Sequence, residues 1–108
     1  MRKLDLTDYQ VETKVIGGDG ELIDVSQLYP VKDSILNVMF LPSLGLQGAE
    51  AIRQQVLAHK IEQCKEDEIL LEEEEYQRVK HAIESFSVRN RHDVTLIDRI
   101  LNQTPLIE

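Results

Sequence analysis

Tyr76 and Lys80 lie four residues apart, a spacing at which a phenol and an ammonium can cooperate in proton transfer. That chemistry comes with a glycine-rich phosphate loop between a strand and a helix, in a doubly wound sheet of roughly twice this length. The chain has neither, and Tyr76 belongs to an apolar helical row. Glu72, Glu73, Glu74 and Glu75 set four carboxylates in succession, a candidate cation site. Cation ligands must converge, whereas four consecutive helical residues fan through about 300°. The block instead suits a helix start, where the partial positive charge favours anions, or an acidic contact surface. Asp19, Glu21 and Asp24 surround Gly20, but their spacing does not match a twelve-residue calcium loop, so this stretch reads as a turn. His59, His81 and His92 show no metal spacing, and Cys64 sits on an apolar row as a small core residue. No His-Glu-x-x-His, Gly-x-Ser-x-Gly or Gly-x-x-x-x-Gly-Lys is present. The sequence therefore implies no enzyme, no metal and no cofactor.

Charge is the next chemical resource. Arg89, Arg91 and His92, with Arg78, Lys80 and Arg99 nearby, form the one basic cluster of the sequence. Such a cluster can bind phosphate, or can complement an acidic patch on the same chain or on a partner. The net charge of −8 over 108 residues disfavours direct binding to nucleic acid or anionic lipid. It also leaves an alternative open, an acidic inhibitor that presents carboxylates in place of backbone phosphates to a host nucleic-acid enzyme. A chain with 42% apolar and 30% charged residues is ordinary globular material for one domain. One cysteine excludes an internal disulfide and suits a reducing compartment. Nothing approaches a membrane span or a signal peptide, so a cytoplasmic setting is expected.

The elements that must position these groups follow from periodicity. Residues 4–8 are a short lead-in. Tyr9, Val11, Thr13 and Val15 alternate with Gln10, Glu12 and Lys14, which predicts a strand, and Asp19-Gly20 suits a hairpin turn. A β-hairpin over residues 9–27 results. Pro30 opens a helix over 31–41, with Asp33-Ser34 as a competing start, whose Leu36, Phe40 and Leu41 extend the apolar surface almost all round, so it should be buried on most sides by this chain or by another copy. Pro42 stops it. A second helix, 49–64, carries the row Ala49, Ile52 and Val56 beside Leu57, Ile61 and Cys64, with Gln54 on its wet side. Ile69, Leu70 and Leu71 read as an edge-like strand, a third one able to join the hairpin, or as a buried helix entry. The helix over 72–86 buries Tyr76, Val79, Ile83 and Phe86, with Glu74 four residues before Arg78 for a surface ion pair. A last helix, 93–102, takes Asp93 as N-cap and ends before Pro105, leaving Leu106 and Ile107 as a tail that docks on something. The fold class expected is α+β, a hairpin packed on about four helices.

Four pieces carry a resemblance: Tyr-x-Val-Lys-x-Ser-x-Leu at 29–36, His-Lys-Ile at 59–61, Leu-x-Glu-x-Glu-Tyr at 71–76, and Asp-Val-x-Leu-Ile-x-Arg-Ile-Leu at 93–101. In this order they resemble small accessory proteins of tailed bacteriophages and prophages. The resemblance implies a phage-encoded protein, in the host cytoplasm or the virion, that acts by contact in virion assembly or host takeover. From the residues themselves the expected function is a non-enzymatic interaction or assembly module, with a protein partner or as a homo-oligomer. Its candidate contacts are Phe40, Leu41, Glu72, Glu73, Glu74, Glu75, Arg89, Arg91, Leu106 and Ile107.

Overall fold

The structure, a computed structural model, describes residues 1–107. It is α+β, with a β-hairpin and four helices, as the periodicities predict. The lead-in is itself a strand, β1 (Arg2–Asp5), and is followed by the hairpin strands β2 (Tyr9–Ile16) and β3 (Leu22–Tyr29). Helix α1 (Val31–Val38) leads through a single 3₁₀ turn at Pro42–Leu44 to α2 (Gly48–Gln63). Strand β4 (Glu68–Leu71), helix α3 (Glu73–Glu84) and helix α4 (His92–Asn102) complete the order.

β4 does form, but it pairs with β1 and not with the hairpin, in the antiparallel register Leu4↔Ile69 and Arg2↔Leu71. The correction has a simple physical source. Leu4, Leu6, Ile69 and Leu71 are buried at alternate positions, so both strands turn one apolar face to the helices. Residues 9–16 alternate as well, but Tyr9, Val11 and Thr13 reach only half burial and Val15 is exposed, so that face is not part of the core. The other edge of β1 is covered by the chain's own end. Lys3 N–H donates to the Pro105 carbonyl at 3.1 Å and Ile107 N–H to the Met1 carbonyl at 2.6 Å. Leu106 and Ile107 therefore dock, by backbone bridging, on the first strand.

Helix α1 is shorter than its apolar pattern suggests, because the residue before proline avoids helical geometry. Leu41 is extended at φ −63°, ψ 139°, and the bonds from Phe40 to Asn37 and from Leu41 to Val38 tighten the last turn. In α2 the buried stripe is Gln54, Leu57, Ala58 and Ile61. Ile52 and Val56, expected inward, are 67% and 66% exposed, whereas Gln54 is buried and donates to the Met39 carbonyl at 3.0 Å. One polar side chain rotates the whole helix by satisfying a buried carbonyl that no apolar residue could. Helix α3 keeps its predicted row, with Tyr76, Val79 and Ile83 buried and the Tyr76 hydroxyl donating to the Ile100 carbonyl at 2.8 Å. Leu4, Ile35, Met39, Ile61, Leu71, Ile83, Leu96 and Ile100 fill the centre.

The hairpin stands apart from this core. The molecule extends 53 × 31 × 23 Å with a radius of gyration of 15.8 Å. A compact chain of this length has about 13 Å. The difference is the arm, eight paired residues a side from Tyr9↔Tyr29 to Ile16↔Leu22.

Truncating Ile83 to Ala should cost about 2–4 kcal/mol in urea denaturation, since it removes fully buried volume. Ile52→Ala should cost no more than about 0.5 kcal/mol, because that side chain already faces solvent. Equal losses at the two sites would refute this orientation of α2.

Candidate assembly interface

Of the predicted contact residues, the four glutamates are largely spent within the chain. Glu72 is the N-cap of α3 and completes a capping box with Glu75, whose carboxylate accepts from the Glu72 N–H at 2.8 Å. Glu75 also pairs with Lys60 at 2.8 Å, and Glu73 with Arg2 at 2.9 Å. The hydrogen bond from the Arg2 guanidinium holds the Glu73 carboxyl below the usual range. Glu74 does not meet Arg78. That guanidinium instead crosses to Glu50 on α2 at 2.6 Å, which lowers the Glu50 carboxyl. Leu44, Gln54, Gln77, Arg78 and His81 border a cleft of about 500 Å³ at this junction. It offers a cation, the Glu50 and Glu74 carboxylates, an imidazole and polar amides, and its lining holds no serine, threonine or cysteine. No three potential metal-ligating side chains converge among the described residues.

Phe40 and Leu41 lie past the end of α1, the first exposed and the second half-buried. Arg89 stacks over the Phe86 ring at 5.4 Å, and Arg91 is exposed at the entry of α4. Asp93 is not the N-cap of that helix. Arg91 holds that position without a side-chain cap bond, and Asn90 before it supplies an acceptor, its Oδ1 taking the His92 N–H at 2.7 Å. Asp93 reaches back to the Arg89 and Asn90 amides at 3.1 and 3.3 Å, tying down the turn that enters the helix. The interface residues therefore remain scattered. Glu72–Glu75, Phe40, Arg91 and Leu106 do not meet in one surface cleft.

The candidate contact residues include none from the hairpin. Its root is held firmly. The Tyr9 and Tyr29 rings stack at 4.7 Å and 9°, and their hydroxyls donate to the His92 carbonyl and to Asp93 Oδ1, both at 2.6 Å. Arg99 covers the Tyr9 ring at 5.3 Å and donates to the Thr7 carbonyl. Burial pushes the Tyr9 phenol, and likewise the Tyr29 phenol, up from its ordinary value. Burial also acts to raise the Asp93 carboxyl, but the Tyr29 hydroxyl and the two amides outweigh it and hold the group below its usual range.

Beyond this root no hydrogen bond joins the arm to the body among the described residues. Gly17 N–H donates to the Glu21 carbonyl at 2.8 Å and Gly20 N–H to the Gly17 carbonyl at 3.0 Å, with Gly20 at φ 85° closing the turn. Since Gly17 and Glu21 bond each other, antiparallel alternation gives 15↔23, 13↔25, 11↔27 and 9↔29 the inward bonds. The amides and carbonyls of Gln10, Glu12, Lys14 and Ile16 therefore point outward along an open edge. A cleft of about 590 Å³ runs along that edge, between β2 and Arg91 with His92 and Thr95 of α4. At the tip, Ile16 and Leu22 are 75% and 67% exposed.

Comparison with family models, with curated proteins and with solved structures finds no match to this chain. No helix among the described residues is long and apolar enough to cross a membrane.

The Asp93 clamp carries a pH signature. A depressed carboxyl contributes stability that is fully present above its unfolded value, near pH 4, and is lost as pH falls through the lower native value. Asp93→Ala should therefore cost about 2–3 kcal/mol at neutral pH, by loss of charge-assisted bonds in a buried place. In strong acid the difference from the parent chain should shrink, and a urea midpoint measured against pH reads it. A penalty that does not change with pH would exclude the ionised clamp.

Proposed function

We propose that this protein is a non-enzymatic contact module whose working element is the β2–β3 arm, carried on a helical body that anchors it. One observation supports this reading above the others: a two-stranded ribbon with an apolar tip and open backbone edges projects from an otherwise closed core. A lone hairpin is marginal in water, and exposed edges are templates for pairing with another chain. Holding such an arm rigid at its root is a cost without return unless the arm meets a partner. The sequence resemblance to phage accessory proteins supports virion assembly as the setting. The alternative of an acidic phosphate mimic draws on net charge, yet Glu72, Glu73 and Glu75 are engaged inside the chain. The geometry favours the arm.

The test is to shorten it. Replacing residues 12–26 by Asn-Gly keeps the inward-bonded pair Val11↔Gln27 and closes it with a two-residue turn. The intact chain should form an oligomer or a stable complex with another protein in light scattering at micromolar concentration. The shortened chain should lose that association and keep its helical circular dichroism, with a melting temperature within about 4 °C of the parent. If the shortened chain associates as the intact one does, the arm is not the contact element.

A further inference from the structure

The five residues Val11-Glu12-Thr13-Lys14-Val15 form a palindrome about Thr13 in which the charge inverts. Resting on the contact-module reading, we infer that the arm's partner is a second copy of this chain, joined through antiparallel pairing of β2 with β2 across a two-fold axis at Thr13. In that register Glu12 lies opposite Lys14 of the second copy, and Lys14 opposite its Glu12. Val11 faces Val15, Thr13 faces Thr13, and Gln10 faces Ile16.

Three observations meet in this register. First, the outward amides belong to the residues that must exchange bonds. Gln10, Glu12, Lys14 and Ile16 turn away from β3, so 12↔14 and 10↔16 become hydrogen-bonded pairs and Thr13↔Thr13 a non-bonded one, as the alternation requires. Second, the faces match. Tyr9, Val11, Thr13, Val15, Ile23, Val25, Gln27 and Tyr29 share one side of the ribbon, without a single charge in a chain of net −8. Pairing makes that side a continuous uncharged face of four strands, enough strands for a sheet to stand in water. On the other side Lys14, already 3.7 Å from Asp24 within its own hairpin, gains Glu12 of the second copy as a further partner. Third, position 17 of one copy falls beside position 9 of the other. That brings the acidic turn with Asp19 and Glu21 toward Arg91 and His92, which line the cleft along β2. Arg91 and His92, which make no ion pair among the described residues, thereby gain an acidic partner, whereas Arg89 already has Asp93.

The edge of β3 is the competing surface, and paired about Val25 it would set Asp24 against Ser26 and Ile23 against Gln27. It has no exchange of opposite charges. Cysteine cross-linking separates the two edges, because facing residues of a non-bonded antiparallel pair lie roughly 4.5 Å apart, within disulfide reach. In a Cys64→Ser background, Thr13→Cys should convert to a disulfide-linked dimer under mild oxidation, while Val25→Cys should stay monomeric on a non-reducing gel. Glu12→Lys, at a solvent-exposed position that leaves the fold intact by circular dichroism, places like charges opposite each other twice. It should weaken the dimer by about tenfold or more in sedimentation equilibrium. Faster cross-linking at Val25 would overturn the β2 pairing in favour of β3. A dimer in solution that cross-links at neither position would overturn it too, while leaving the contact-module reading in place. A monomer at every concentration overturns self-pairing, and the arm-shortening experiment then decides separately whether another protein is bound.

Discussion

One buried carboxylate ties the two halves of this molecule together. Asp93 accepts from the Tyr29 hydroxyl, which ends the arm, and from the Arg89 and Asn90 amides, which begin α4. An isolated anion at 3% exposure would be prohibitively costly, so its three donors are obligatory. That obligation fixes the angle at which the ribbon leaves the core. The Tyr9–Tyr29 stack and the Arg99 guanidinium then seal the root from solvent. The arm can thus be stiff at its base although nothing supports its far end. Its position is set by polar chemistry, whereas the body is set by apolar burial around β1, β4 and the helices.

Much of this was legible in the sequence. A period of two gave the hairpin and a period near 3.6 gave the helices, with Tyr76, Val79 and Ile83 correctly inward. Misreadings cluster where a polar group overrides an apolar count. Gln54 is buried for its bond to the Met39 carbonyl, and this turned Ile52 and Val56 outward against their hydrophobicity. Arg78 meets Glu50 of α2 and not Glu74, a contact between helices that spacing along one helix does not signal. The partner of β4 was invisible for another reason. Strand pairing over more than sixty residues of separation leaves no local signal, and a four-residue strand such as β1 shows only two turns of alternation.

The projecting arm escaped notice because composition marks surfaces by what they contain, not by what they lack. Glu72–Glu75 and Arg89–His92 stand out in the sequence, yet the glutamates are mostly neutralised by Arg2, Lys60 and a cap. The arm stands out in no composition window. Its distinguishing features are unpaired backbone groups and the absence of a packing element, and both exist only in three dimensions.

An open edge also needs protection from indiscriminate pairing, and the charges on β2 supply it. Two-fold pairing requires that outward residues meet outward residues, which leaves registers that differ by steps of one residue in the position of the axis. Moving the axis from Thr13 to Glu12 puts carboxylate opposite carboxylate, and moving it to Lys14 puts ammonium opposite ammonium. Like charges directly opposite each other are destabilising, so the neighbouring registers are penalised while the Thr13 register gains two complementary pairs. Registers of mixed parity would leave the outward amides of one strand facing the inward-turned groups of the other. Charged residues on an edge usually serve to keep strands apart. On this one their order penalises both adjacent registers and favours the one between them, so the same two side chains that guard the edge also bias what closes it.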